Sequence, residues 1–401
     1  MIKNVVVAGG GVLGSQIALQ TAVSGFKVTV YDISEDSLQA SKEKMEGFIP
    51  RYQEESKKDF GHQALDQALA DIIFTTDLKE AAQDADLVVE AVPEKLDIKE
   101  DFYKQLAQVA PDHTIFATNT STLLPSSFME ATSREDRFVA LHFANEIWKK
   151  NTGEVMKTEK TTDETFQTVM DFAEDIAMVP IPIYKEKPGY ILNTLFVPFL
   201  QSGSELHYSG FASAYDVDRA WIKTTGDDFG PFGGMDIVGI ETVKNVNQSN
   251  LALGIYPDEE WIHNAIKDYN DLIEQGRGGK LNGKGYYNYD GIPEFLQDDF
   301  LADTPQVAIE DYGKESDDPE VDKVLHIYNF ISTGIFKAAL ELVVNGYSEA
   351  DMVDKVWETT HGWGPFKRMK EIGFDQVRQT IEKSLGNQAT QEERKLLSYF
   401  E

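Results

Sequence analysis

His142 lies toward the end of the apolar segment VALHF, and Glu154 follows it by 12 residues. An imidazole at a strand end can take a hydroxyl proton at neutral pH. A carboxylate beside it can hold the correct tautomer and stabilise the imidazolium. In open parallel sheets ligands bind outside the carboxyl ends of the strands, so this is where such a base would be useful. A lone histidine in an apolar strand can equally be a satisfied core residue, and its surroundings decide. Thr118-Asn119-Thr120-Ser121-Thr122 follows another apolar run, Ile115 to Ala117. Its hydroxyls could contact a substrate oxygen or could cap a helix.

The elements that would position these groups begin at the N-terminus. Val5 to Gly14 reads VVVAGGGVLG, a short buried strand running into a glycine turn and a helix. Gly9, Gly11 and Gly14 have G-x-G-x-x-G spacing. Gly9 allows a tight turn, Gly11 lets backbone approach a pyrophosphate, and Gly14 lets the helix pack on the strand. The helix start offers free N–H groups to phosphates. A second strand, Phe26 to Tyr31, ends at Asp32, 18 residues after Gly14. A carboxylate there can accept both adenosine ribose hydroxyls and repels a 2′-phosphate, which favours NAD over NADP.

The first half continues as alternating strands and helices, the pattern of a doubly wound parallel sheet. Strands are expected at 72–75, 87–91, 115–118 and 138–143, with a helical hairpin (35–46 and 63–70) inserted after the second strand. Residues 178–184, with two prolines, read as a sheet edge or an exit to the next domain. From Lys187 on, helices dominate. The expected division is a Rossmann-type domain over 1–186, a helical domain over 187–291, an acidic linker over 292–320 and a second helical domain over 321–401, an α/β plus all-α architecture. The two helical blocks repeat each other: Asn193, Glu205, Gly210, Val217, Asp218 and Trp221 recur 136 residues later as Asn329, Glu341, Gly346, Val353, Asp354 and Trp357. GPFGGMDIVGIETV at 230–243 recurs as GPFKRMKEIGFDQV at 364–377. The matches in this order point to a duplicated helical domain. Such a domain, which could pair with its own kind on a partner chain, could pair within one chain instead.

Composition narrows the classes. With 37 Lys and Arg against 68 Asp and Glu, the net charge of −31 disfavours nucleic acid and anionic membranes. The chain has no cysteine, so disulfides, thiolate catalysis and cysteine metal sites are excluded, and no metal is expected. No apolar stretch approaches the ~18 residues that span a bilayer, and no secretion signal is evident. A soluble cytoplasmic protein is the expectation.

The ordered set GGGVLG, Asp32, VVEAVPEKLDIK at 88–99, TNTST at 118–122, LHF at 141–143, Glu154, PGYILN at 188–193, GPF at 230–232 and GKGYYNY at 283–289 resembles the L-3-hydroxyacyl-CoA dehydrogenase family, including its 3-hydroxybutyryl-CoA members. The resemblance covers roughly residues 2–290. It implies an NAD-dependent oxidoreductase of fatty acid metabolism that moves a hydride between NAD(H) and C3 of a 3-hydroxyacyl-CoA/3-ketoacyl-CoA pair. By resemblance His142 is the catalytic base and Glu154 its orienting partner. Ser121 and Asn193 hydrogen-bond the reacting oxygen, and Glu94 and Lys99 lie near the nicotinamide ribose. The C-terminal repeat resembles the doubled helical domains of long multifunctional fatty-acid oxidation enzymes, which implies a monomer built as a pseudo-dimer, with a homodimer as the alternative.

One departure bears on the substrate. The family usually reads His-Phe-Phe-Asn-Pro after the strand, whereas this chain reads His142-Phe143-Ala144-Asn145-Glu146, followed by Ile-Trp148-Lys149-Lys150. The loop joining base to acid is thereby altered. A dehydrogenase of a small free 3-hydroxy acid or polar alcohol, of the carnitine or sugar-acid kind, stays open. So does a non-catalytic NAD-binding or structural protein, though the set Ser121, His142, Glu154 and Asn193 argues for an enzyme.

Overall fold

Side chains along the first strand, β1 (Asn4–Ala8), leave the sheet alternately on two sides, and both sides are buried. Val5 and Val7 enter one hydrophobic core, Val6 and Ala8 the other. A continuous apolar run is what a strand covered on both faces requires. The structure is a computed structural model, describing residues 2–256, 258–297, 299–386 and 389–401. The chain forms two compact units, Met1–Leu192 with Gly346–Thr360, and Asn193–Asn345 with His361–Glu401.

The first unit continues through α1 (Val12–Val23), β2 (Lys27–Tyr31), α2 (Glu35–Glu55), α3 (His62–Asp71), β3 (Ile73–Thr75), α4 (Leu78–Ala82), β4 (Leu87–Glu90), α5 (Leu96–Val109), β5 (Ile115–Thr118), β6 (Phe138–Phe143), β7 (Thr152–Met156), α6 (Asp163–Asp175) and β8 (Val179–Ile183). The strand order is β3-β2-β1-β4-β5-β6-β7-β8, parallel except where β7 runs antiparallel to β6. Strand β7 was not expected. Its sequence, TGEVM, alternates poorly, yet every residue of it is buried. Strand β8 is the edge, and its Pro180 and Pro182 can be there because an edge strand leaves one row of backbone groups unpaired. The segment Gly346–Thr360 lies along that row. Tyr184 N–H donates to Tyr347 C=O (2.9 Å), and Ser348 Oγ–H to Pro182 C=O (2.7 Å).

The helices that follow are α7 (Leu192–Tyr208), α8 (Ala214–Thr225), α9 (Pro231–Val238), α10 (Ile240–Ala252), α11 (Glu260–Glu274), α12 (Pro319–Val344), α13 (Ala350–His361), α14 (Pro365–Ile372), α15 (Phe374–Leu385) and α16 (Gln391–Lys395). One pair of matched helices, α9 and α14, begins and ends alike. α9 runs from N-cap Gly230 to Gly239 at φ +96°, and α14 from N-cap Gly364 to Gly373 at φ +100°. The stretch expected to be an acidic linker is packed instead, with Phe295, Phe300, Val307 and Tyr312 buried. Its few aromatics outweigh its charge, because each removes a large apolar surface from water. A further correction concerns α12. By length and composition it is apolar enough to cross a membrane, contrary to the expectation that no segment is. Its Ile327, Ile331, Ile335 and Leu340 are buried core positions of the second unit.

GPF and GKGYYNY are explained by two buried aspartates in this second unit. Asp218 accepts the amides of Phe232 and Gly233 (2.9 Å each) and the Tyr287 hydroxyl (3.0 Å). Asp236 accepts the amides of Tyr286 (2.8 Å) and Tyr287 (2.9 Å). A Cβ at Gly285 would lie 1.9 Å from Asp236 Oδ1, so the close approach needs glycine.

Candidate active site

The glycine turn fits a dinucleotide. Gly9, at φ +104°, lies so close to the next strand that a Cβ would sit 2.4 Å from Ala91 O, and a Cβ on Gly14 would sit 1.9 Å from Gly9 O. Gly11 is the N-cap of α1, and a Cβ there would meet nothing within 4 Å. The first and third glycines therefore allow backbone packing. The second leaves open the space before the α1 amides, where a pyrophosphate binds. Asp32, at the carboxyl end of β2, is held to this turn. Its Oδ2 accepts Gly10 N–H and its Oδ1 accepts Ile33 N–H, both at 2.7 Å.

Beyond the ends of β4 and β5, Glu94 organises the TNTST loop. Its Oε1 accepts Thr120 Oγ1–H (2.6 Å), Ser121 N–H (2.9 Å) and Thr122 N–H (2.8 Å). Partial burial alone would raise its carboxyl. The Thr120 and Thr122 hydrogen bonds and the Lys99 ammonium outweigh burial and pull it down to about 2. Lys99, matched by resemblance to a group near the ribose, is a partner of that carboxylate. It is 1% exposed and sits between Glu90 (2.6 Å) and Glu94 (3.2 Å), so it reaches the site through Glu94. Glu90 was not singled out in the sequence. Besides Lys99 it takes Thr118 Oγ1–H (2.7 Å) and Tyr103 O–H (3.2 Å), which satisfies a fully buried ion pair. A charged residue ending the otherwise apolar LVVE was the available signal.

His142 and Glu154 are register partners across β6 and β7. Glu154 Oε2 lies 2.9 Å from His142 Nδ1, and both residues are buried. The carboxylate accepts the Nδ1 proton, leaving Nε2 as the basic nitrogen. That nitrogen lies 3.2 Å from Ser121 Oγ. The other Glu154 oxygen accepts the amides of Ile191 (2.8 Å) and Leu192 (3.1 Å). Tyr190, also overlooked in the sequence, stacks on the imidazole at 4.4 Å with 16° between planes, and donates its hydroxyl to Thr120 C=O (2.7 Å). Burial first, then the carboxylates of Glu154, Glu94 and Glu90, push its phenol well up and keep it neutral. Three of the four expected catalytic residues thus lie together in the first unit. Asn193, the second residue of α7, begins the second unit.

The altered loop after His142 is locked to the inserted hairpin. Glu146 has φ +66°, which proline cannot adopt, and its N–H donates to Gln16 Oε1 (2.7 Å). The Glu146 carboxylate pairs with Arg51 of α2. Trp148 is 1% exposed, packs on Tyr52 (4.6 Å) and Phe48 (5.6 Å), and donates to Glu55 (3.1 Å).

The family model of the 3-hydroxyacyl-CoA dehydrogenase NAD-binding domain matches residues 4–187, and that of the C-terminal domain matches residues 189–289. The chain belongs to the 3-hydroxyacyl-CoA dehydrogenase family. Human mitochondrial hydroxyacyl-coenzyme A dehydrogenase is 35% identical over 295 residues, 72% of this chain and 92% of that protein. A solved diketoreductase, described by its dual catalysis of dicarbonyl compounds, is 46% identical with a TM-score of 0.67, covering 72% of this chain and 99% of its own. A solved 3-hydroxybutyryl-CoA dehydrogenase from Escherichia coli K12 covers 100% of this chain and 98% of its own at a TM-score of 0.78. At 19% identity that likeness is one of fold.

This 3-hydroxyacyl-CoA dehydrogenase family member is an NAD-dependent oxidoreductase, and its glycine turn, α1 amides and Asp32 are the groups that would hold NAD. Among the described residues no three His, Asp or Glu side chains gather as a metal site.

Proposed function

We propose that this dehydrogenase works through His142 as general base and acid, with Glu154 as its partner and Ser121 and Asn193 as ligands of the substrate oxygen. The observation that supports it most is the line Glu154–His142–Ser121, with links of 2.9 and 3.2 Å. When bound, NAD supplies the acceptor for the hydride that leaves C3. In the oxidation His142 Nε2 takes the hydroxyl proton as the C3–O bond becomes a carbonyl. Glu154 offsets the positive charge then gained by the ring. The Ser121 hydroxyl and the Asn193 amide hold the oxygen and stabilise its partial negative charge. In the reduction the imidazolium returns the proton. Asn193 enters by its match to the family motif PGYILN.

The substrate pair is a 3-hydroxyacyl-CoA and its 3-keto form. A second reading, a free dicarbonyl compound or 3-hydroxy acid, is favoured by the 46% identity with a diketoreductase and by the Glu146–Trp148 loop. NADH absorbance with acetoacetyl-CoA, acetoacetate and dehydrocarnitine separates the two. Preference for the CoA ester supports the first, and turnover of free acids alone selects the second. NADH binding without any turnover would return the non-catalytic reading. His142→Gln should cut turnover by about a hundredfold or more, with NADH affinity little changed. Near-normal activity would remove His142 from the mechanism.

The repeated helix geometry also supports a duplicated helical domain, and with it a monomer in which one block takes the place of a partner chain's domain.

A further inference from the structure

Two hydrogen bonds hold the nitrogens of the His142 ring. Glu154 holds Nδ1 and Ser121 faces Nε2. Both contacts are made at the ring's edge, and neither rests on its face. They resist a tilt about the Cα–Cβ and Cβ–Cγ bonds, which turns the Nε2 lone pair away from the hydroxyl, only through these two hydrogen bonds. Tyr190 supplies what is missing. Its ring lies 4.4 Å from the imidazole and nearly parallel to it.

Tyr190 is itself held from several sides. Its hydroxyl donates to Thr120 C=O, the residue before Ser121. Its backbone is left-handed at φ +55°, a conformation a bulky residue keeps only when its surroundings impose it. The imposition is visible nearby. Tyr190 N–H donates to Lys187 C=O (3.1 Å), and the amides of Ile191 and Leu192 bind Glu154. Upstream, Lys185 and Lys187 place their ammonium groups 4.8 and 5.3 Å from the Tyr347 ring, on the segment that covers β8. The turn carrying Tyr190 is anchored at both ends.

We infer that Tyr190 is a positioning residue for the His142 base: its flat face fixes the plane of the imidazole, and its hydroxyl ties that plane to the Ser121 loop. The face also suits the reaction's charge. The imidazole becomes a cation when it takes the hydroxyl proton, and an aromatic face attracts a cation laid against it. The inference rests on His142 being the base.

The test compares Tyr190→Phe and Tyr190→Trp, which keep a flat face, with Tyr190→Leu and Tyr190→Met, which remove it. Turnover is normalised to sites titrated with NADH, so a misfolded fraction does not count. The expected result is kcat within about threefold of the parent for the aromatic variants and lower by about tenfold or more for the aliphatic ones, with KM little moved; misplacing a catalytic group by ~1 Å can cost on the order of a hundredfold. The primary isotope effect from deuterated NADH should grow in the aliphatic variants, as chemistry becomes slower than release. Aliphatic variants with parental kcat would overturn the inference, as would aromatic variants that fall as far as the aliphatic ones. If one aliphatic variant does not fold, the other decides. His142→Gln run alongside separates the two failures. If it stays active, the base assignment fails. If it is inactive while all four Tyr190 variants match the parent, only the positioning role fails.

Discussion

Glu154 and His142 meet because β7 turns back antiparallel on β6 and sets the two residues opposite each other in register, Oε2 to Nδ1 at 2.9 Å. The 11 residues between them are the last residue of β6, a loop and the first two residues of β7 rather than a helical spacing. Both carboxylate oxygens are in use, one on the ring and one on the Ile191 and Leu192 amides.

That division gives Glu154→Gln a definite outcome. The amide oxygen can keep the two backbone donors, which turns the NH₂ toward Nδ1. Nδ1 must then accept, the ring proton moves to Nε2, and the base loses its lone pair on the reacting side. Turnover should fall by about 10² to 10⁴, the contribution of general acid–base catalysis that the wrong tautomer forfeits. Folding and NADH affinity should stay near parental. Steady-state kinetics and fluorescence titration check both, and full activity in the variant would deny Glu154 its orienting part.

Asp32 should govern the choice of coenzyme. Its carboxylate is fixed to the glycine turn by Gly10 N–H, so it cannot swing away from a 2′-phosphate. Asp32→Asn keeps an acceptor for that amide and removes the charge. The ratio of kcat/KM for NADPH to that for NADH should rise by about tenfold, the equivalent of ~1.4 kcal/mol of relieved repulsion. An unchanged ratio would mean that another group sets the preference.

Much of this was legible in the sequence, for reasons specific to each residue. The glycine turn and Asp32 are local: their chemistry depends on neighbours within a few residues, and spacing carries it. His142 showed itself as a polar residue closing an apolar strand. Tyr190 did not, because its function comes from a left-handed backbone and from lying against a residue 48 positions earlier in the chain. The burial of Lys99 was not legible either, because it depends on Glu90, a carboxylate at the end of another element. The acidic stretch after residue 291 was read from its charge, while its fate was settled by Phe295, Phe300 and Tyr312.

Acidity has a different consequence at Asp218 and Asp236. Burial, opposed by the amides of Phe232 and Gly233 and the Tyr287 hydroxyl, pushes the Asp218 carboxyl up to about 7. Burial likewise moves Asp236 up to about 6. A folded state that binds a proton more tightly than the unfolded chain is favoured at low pH. This contribution is full below the ordinary value of 3.8 and is lost as pH rises toward about 7. Glu94 has the opposite sign, but its contribution is full above 4.5 and is constant over the same upper range. Thermal midpoints should therefore decline from pH 5 to pH 8, and Asp218→Asn should flatten that decline. Calorimetry at a series of pH values reads this directly, and an equal slope in the variant would show that these carboxyls do not set it.

Asp227 bonds to residues of both helical blocks. Its carboxylate accepts Trp221 Nε1–H (2.7 Å), His361 Nδ1–H (2.9 Å) and Trp363 Nε1–H (2.7 Å). His361 stands 134 residues after Asp227, the offset by which Gly230 recurs as Gly364, so equivalent positions carry an acid in one copy and an imidazole in the other, and the two bond to each other. In a two-fold assembly of identical chains equivalent positions hold the same residue, and two aspartates there would repel. Trp363→Phe takes one donor from a buried carboxylate and should cost about 1–3 kcal/mol, seen as a drop of several degrees in the thermal midpoint. Sedimentation of the parent should give a single-chain mass. A stable dimer would contradict pairing within the chain, and an unchanged midpoint in the variant would show that the indole bond does not hold the blocks together.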